Sequence, residues 1–201
     1  MVKHVALGLC LFLVLSFGLA FFLLFLAHPY TWHGSVFQPA HPAFDLVLKD
    51  THNQTFQLSQ DKGKIILLFF GYTHCPDECP LTLAKLKQVK ADLGSKADHV
   101  VFVFVTVDPP RDTPAAILAY LVPFDPAFTG LTGSLSELEP AWNAYGVYNQ
   151  IDGGAVLEGY QVSHSTQLYL IDAQGRLRLT YHLDNTPQDI EQDILYLVNK
   201  G

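Results

Sequence analysis

The chain holds three cysteines in 201 residues, and two of them, Cys75 and Cys79, share the run HCPDECP at 74–80. Thiolates are the nucleophiles of thiol-disulfide exchange and also ligands for soft metals. Cys75 precedes Pro76 and is biased to extended backbone, so it is delivered from the end of whatever element comes before it. Pro80 has no amide hydrogen and would meet the carbonyl of Pro76 inside one helix, which predicts a helix beginning at Pro80 with Cys79 at or near its N-cap. A thiol in that place feels the positive end of the helix, which favours the thiolate. The spacing admits a stabilising disulfide, a redox pair or a pincer for one metal ion.

The third partner separates these chemistries. Two thiolates hold soft Cu(I), an imidazole completes a three-coordinate site that also satisfies Cu(II), and a structural zinc would ask for a fourth ligand. His164, in VSHSTQLYLID just ahead of an alternating apolar strand, is the candidate ligand, with an ordinary surface or hydrogen-bonded histidine as the alternative. His74 adjoins Cys75, but neighbours in an extended segment point to opposite faces. The loop NQIDGGAVLEGYQVS before His164 is Gly-rich, and mobility is expected there.

Several elements must position these residues. KIILLFFGY and HVVFVFVTVD are continuous apolar runs, the pattern of strands buried on both faces. Between them, a helix from Pro80 to about Leu93 would bury Leu81, Leu83, Ala84, Leu86 and Val89. TPAAILAYLV reads as a helix with Thr113 as N-cap and Pro114 at its first position, and SLSELEPAWNAYGV as a short one capped by Ser134 or Ser136. FDLVLKDTHNQTFQL and STQLYLIDAQGRLRLTYHL read as hairpins, and TPQDIEQDILYLV as a closing helix capped by Thr186. This order predicts an α/β fold, a mixed sheet covered by helices on both faces, as in the thioredoxin-like class and other three-layer folds.

Val5–Ala27 carries no charge and is long enough for a transmembrane helix. Its exit, FLAHPY, makes a poor cleavage site, which favours an uncleaved anchor at 1–27 over a removed signal peptide. Lys3 flanks one side and no Lys or Arg follows until Lys49, so the amino terminus is expected in the cytoplasm and the folded domain on the outer or periplasmic face of the inner membrane. Cys10 lies within this segment and reads as a small apolar residue. Residues 28–43, rich in Pro and His, read as a tether, with His28, His33 and His41 as polar spacers more readily than metal ligands, and 44–201 as the domain. The net charge of −7 argues against nucleic acid as a partner.

Together, GYTHCPDECPLTL, VTVDPPRDTP and VSHSTQLYLID resemble, in order and spacing, the Sco/SenC family of copper-binding assembly factors of cytochrome c oxidase. The resemblance runs from about Phe44 to Val198 and includes the anchor. It implies a thioredoxin-like domain binding one copper, as Cu(I) or Cu(II), through Cys75, Cys79 and His164. It also implies delivery of that copper to the dinuclear centre of oxidase subunit II, or reduction of that subunit's cysteines so that another periplasmic copper chaperone can load it. Asp77 and Asp108 match acidic positions near the family's site and are expected to support the ligands or a docking partner, with turn formation as the alternative. Arg111 and Asp112 are expected to fix their loop and cap its helix. Two departures from the family stand out: Ser163 replaces a frequent Asp before the ligand histidine, and Glu78 replaces a frequent aliphatic residue.

Three functions compete for these residues. A copper chaperone leads. A membrane-tethered thiol-disulfide oxidoreductase would cycle the same cysteines between dithiol and disulfide, and a copper sensor would use the same site to report. A thiol peroxidase is weaker still, and no nucleotide loop, serine triad or paired-carboxylate motif is present.

Overall fold

The computed structural model describes residues 8, 12–22, 30–152 and 160–200. Two compact units divide the chain, Met1–Trp32 and His33–Gly201. In the first, residues 12–22 are helical, and no helix among the described residues is long and apolar enough to cross a membrane. The remainder of the expected anchor, Val5–Ala27, lies largely outside the described residues.

The second unit is built on an eight-stranded mixed sheet in the order β1-β10-β9-β4-β5-β6-β2-β3. Its strands are β1 (Ser35–Pro42), β2 (Val47–Asp50), β3 (Thr55–Gln57), β4 (Ile65–Gly71), β5 (Val100–Thr106), β6 (Thr129–Thr132), β9 (Leu168–Ile171) and β10 (Arg176–Tyr181). The strands β7 (Asn149–Asp152) and β8 (Gln161–His164) form a separate antiparallel pair. β4 pairs with β5 in parallel and with β9 antiparallel, and every residue of β4 is buried. Because alternate side chains face opposite ways, a strand buried at every position is covered on both faces, as its unbroken apolar sequence predicts.

Four helices accompany the sheet: α1 (Glu78–Leu93), α2 (Pro114–Leu121), α3 (Leu135–Ala144) and α4 (Pro187–Lys200), with α1 packed along α4. α1 begins two residues earlier than the proline argument predicts, with Asp77 as N-cap. The first turn of a helix makes no use of its own amide hydrogens, so Pro80 fits there, and Pro76, whose carbonyl it would otherwise meet, lies outside the helix. The buried stripe of α1 is Cys79, Thr82, Leu83, Leu86, Val89 and Leu93, while Leu81 and Ala84, expected inside, are exposed. The two-residue shift at the start brings Cys79 onto the inward face. Thr113 caps α2 as expected, accepting from the amide of Ala116 at 3.2 Å, and Ser134 with Glu137 makes a capping box on α3.

Part of the stretch expected as a tether belongs to the sheet. β1 pairs antiparallel with β10 at the sheet edge, its register broken between Val36 and His41. Pro39 and Pro42 obscure it in the sequence, since proline cannot donate to a ladder and is tolerated only at edges and bulges. Just ahead of β1, the fully buried Asp193 of α4 accepts the amides of His33 and Gly34, at 3.2 and 3.1 Å, and the hydroxyl of Tyr181 at 3.0 Å. His33 Nδ1 lies 3.0 Å from the same carboxylate, so this histidine is a structural partner of α4.

Candidate metal centre

β4 ends at Gly71, and the chain then turns through Tyr72 to Asp77 before α1 begins. Gly71 carries no side chain for a steric reason: a Cβ there would stand 2.9 Å from Cys79 Sγ and as close to the rings of Phe69 and Phe104. Cys79 is buried at the second position of α1, and Cys75 is half-buried in the turn, its amide bonded to the Tyr72 carbonyl at 3.2 Å. The Cys79 amide donates to Cys75 Sγ at 3.4 Å. Neither cysteine is in a disulfide.

His164 closes β8, and its Nε2 lies 3.5 Å from Cys79 Sγ. Its Nδ1 is 2.9 Å from the carbonyl of Ser165 and must donate to it, which leaves Nε2 with its lone pair facing the sulfurs. One ligand atom from each of Cys75, Cys79 and His164 falls within 4.8 Å of the others, and this is the one such group found among the described residues. The donor set of two sulfurs and one imidazole nitrogen suits a soft or borderline ion and leaves structural zinc one ligand short.

The two thiols differ in acidity. Cys75 is drawn down to about 3, chiefly by the hydrogen bond from the Cys79 thiol, with the amides of Cys79 and Asp77 as further donors acting against the cost of burial. Cys79 is pushed strongly upward, because its S–H donates to the Cys75 thiolate and because it is buried. The metal-free pair is therefore one thiolate and one thiol sharing a proton.

The sequence-predicted residues fall into place unevenly. Asp77 is the exposed N-cap of α1 and its side chain makes no capping bond, while Glu78, the first helical residue, places a charge where the helix dipole favours it. Ser163 is exposed and adjoins His164 on a strand, so its side chain leaves the opposite face from the imidazole. Asp108 is only 2% exposed, too buried for docking, and it is held by Arg111 and by the hydroxyl of Tyr160. Asp112 does not cap α2. It turns inward, accepting from Thr73 Oγ1 and Thr106 Oγ1, each at 2.6 Å, and from the amide of Thr73 at 3.2 Å. Thr73 and Asp112 thus pin the cysteine turn to the end of β5, and no periodicity in the sequence announces that pairing. Most of the Gly-rich loop ahead of His164, 153–159, lies outside the described residues.

Comparison with known proteins gives a consistent pattern. The SCO1/SenC family model matches residues 36–199. The chain is 35% identical over 147 residues to a SCO2-like protein of Rickettsia felis, covering 73% of this chain and 72% of that one. The copper-bound structure of ScoI from Bradyrhizobium japonicum superposes with a TM-score of 0.71 at 35% identity, over 78% of this chain and 99% of that one. The solution structure of apo Sco1 from Thermus thermophilus superposes with a TM-score of 0.76 at 34% identity, over 84% and 98% respectively.

Proposed function

The chain belongs to the SCO1/SenC family, and from that premise we propose that it is a membrane-anchored copper chaperone serving assembly of the dinuclear copper centre of cytochrome c oxidase subunit II. The observation that carries this reading is the convergence of Cys75, Cys79 and His164 within 4.8 Å, with the imidazole already in the tautomer that offers Nε2. Copper is the cargo. Cu(I) between two thiolates and a neutral imidazole leaves the site with one negative charge, and Cu(II) is accommodated by the same nitrogen. Cys75 is present as thiolate and Cys79 gives up its proton on binding, so loading is coupled to proton release. An imidazole held at the end of a two-stranded hairpin is the ligand most easily surrendered to a recipient.

The large side chains of the helical residues 12–22, among them Phe12, Leu15, Phe17 and Phe22, are exposed, which supports lipid as their surroundings and an anchor over 1–27. With Lys3 on the cytoplasmic side, the domain faces outward.

A second reading is thiol-disulfide exchange on the recipient, supported by the asymmetry of the pair. The half-buried Cys75 thiolate would attack a disulfide of subunit II, form a mixed disulfide and release one recipient thiolate. Cys79 would pass its proton to that group and attack Cys75, yielding the Cys75–Cys79 disulfide and the second recipient thiolate, a transfer of two electrons.

The test is titration of the reduced full chain in detergent with Cu(I) and Cu(II), beside Cys75→Ser, Cys79→Ser and His164→Ala. One equivalent bound, abolished in either cysteine variant and weakened about tenfold or more in His164→Ala, together with a thiolate-to-Cu(II) absorption band, is the expected result. Absence of tight copper, with ready cycling of a Cys75–Cys79 disulfide, would leave only the redox reading.

A further inference from the structure

We propose that Asp108, Arg111 and Tyr160 form a clamp that fixes the near end of β8 and thereby positions His164 over the cysteines. This rests on the chaperone reading for the purpose of the clamp, but not for its existence.

The need for such a device follows from the topology. β7 and β8 are hydrogen-bonded to each other and to no strand of the eight-stranded sheet. Beyond His164, the short connection Ser165–Gln167 ties the hairpin to β9. At the other end, nothing in the sheet ladder sets where Gln161 begins. A ligand on a hairpin held at one end only would sweep past the sulfurs.

The clamp supplies the second hold. Tyr160, immediately before β8, is 7% exposed. Its hydroxyl donates to Asp108 Oδ1 at 2.6 Å, its carbonyl accepts from Arg111 Nη1 at 2.8 Å, and its ring lies 3.6 Å beneath the Arg111 guanidinium carbon. Arg111 is in turn held by its Nε on the other oxygen of Asp108. Both oxygens of one buried carboxylate are thus occupied, one by the arginine and one by the tyrosine, and the planar guanidinium stacks on the ring between them. A lysine could satisfy the charge but could not bond Asp108 and the Tyr160 carbonyl at once while stacking on the ring.

The same group reaches the site through Tyr72. Arg111 lies 5.6 Å from the Tyr72 ring, whose hydroxyl accepts the amide of Val162 at 3.3 Å and whose plane stands at 87° to the His164 ring with 5.5 Å between their centres. Tyr72 also holds Cys75 through its carbonyl. The clamp therefore joins the loop after β5, the cysteine turn and the histidine strand. None of its three members touches the metal position, so they are positioning residues for His164.

The test uses the full chain in detergent, with Tyr160→Phe, Arg111→Ala and Arg111→Lys beside wild type and His164→Ala. Cu(II) EPR reads nitrogen coupling from the imidazole, and hydrogen exchange of the metal-free protein reads the Val162 and His164 amides. The clamp predicts that Arg111→Ala loses about tenfold to a hundredfold in Cu(II) affinity and most of its nitrogen coupling, while Cu(I) stoichiometry persists through the two thiolates. Arg111→Lys should restore little, and Tyr160→Phe, which keeps the ring and the carbonyl bond, should lose less. Exchange at Val162 and His164 should quicken in the order Tyr160→Phe, then Arg111→Ala, with the amides of β4 unchanged. If Arg111→Ala does not fold, Tyr160→Phe decides the matter. Wild-type nitrogen coupling and wild-type exchange in these variants, with coupling lost in His164→Ala, would overturn the clamp. A wild-type chain that takes no copper would instead overturn the chaperone reading, and the exchange data would still decide the clamp.

Discussion

Cys75 Sγ collects donors from the Cys79 thiol and two amides, whereas Cys79 is buried against Gly71 at the start of α1. The consequence is a fixed division of labour between two residues of the same type. Since Cys75 falls to about 3, its thiolate is fully present across the neutral range and disappears only as pH drops toward that value. Alkylation of the reduced, metal-free protein should therefore modify Cys75 first, at a rate nearly flat from roughly pH 5 to 8. In a denatured chain the rate should rise about tenfold per pH unit over the same range. Peptide mapping that found Cys79 modified first, or a folded-state rate climbing like the denatured one, would contradict the proton assignment. The two cysteines were legible in the sequence because a scarce residue type at motif spacing announces itself, whereas His164, one of nine histidines, stood out only through the family resemblance of VSHSTQLYLID. The Ser165 carbonyl that sets the His164 tautomer was not, since a backbone acceptor belongs to no residue type.

At the scale of elements, the long apolar strands and the capped helices were legible, because burial on both faces and capping chemistry leave marks within a short window. β6, β7 and β8 were not, being four residues each with no lasting alternation, and the pairing of β7 with β8 follows from the tertiary fold. Asp112 shows the same limit. A carboxylate ahead of a Thr-Pro helix start reads as a cap, yet it is wholly buried between Thr73 and Thr106 and joins the cysteine turn to β5. Replacement by Ala would take this acceptor from the buried Thr106 hydroxyl and from the part-buried hydroxyl and amide of Thr73, a loss of about 2 to 3 kcal/mol on the scale of buried unpaired donors. Asp112→Asn, which keeps one acceptor oxygen, should cost clearly less. Chemical denaturation of both variants checks the order, and hydrogen exchange should show the loosening concentrated at Thr73 and the cysteine turn. Equal stability of Asp112→Ala and wild type would remove Asp112 from the site's support.

For the whole molecule the decisive boundary is where the folded unit begins. A start at Phe44 looks natural from the Pro- and His-rich composition before it, but β1 occupies Ser35–Pro42, and Asp193 on the last helix takes the amides of His33 and Gly34. The first strand and the last helix are thereby joined at the amino-terminal boundary of the folded unit. A fragment beginning at Tyr30 keeps those contacts. One beginning at Phe44 exposes the edge of β10 and leaves the buried Asp193 carboxylate with its two amide donors removed, and stripping partners from a buried charge costs about 3 to 5 kcal/mol. The longer fragment should unfold cooperatively. The shorter should unfold at markedly lower denaturant and aggregate through the bared edge of β10. A milder variant separates the two effects: Asp193→Asn in the full chain weakens the attachment of His33 and Gly34 without removing β1, and should lie between the two fragments in stability. Equal denaturation midpoints for the fragments would restore residues 30–43 to the role of a passive tether.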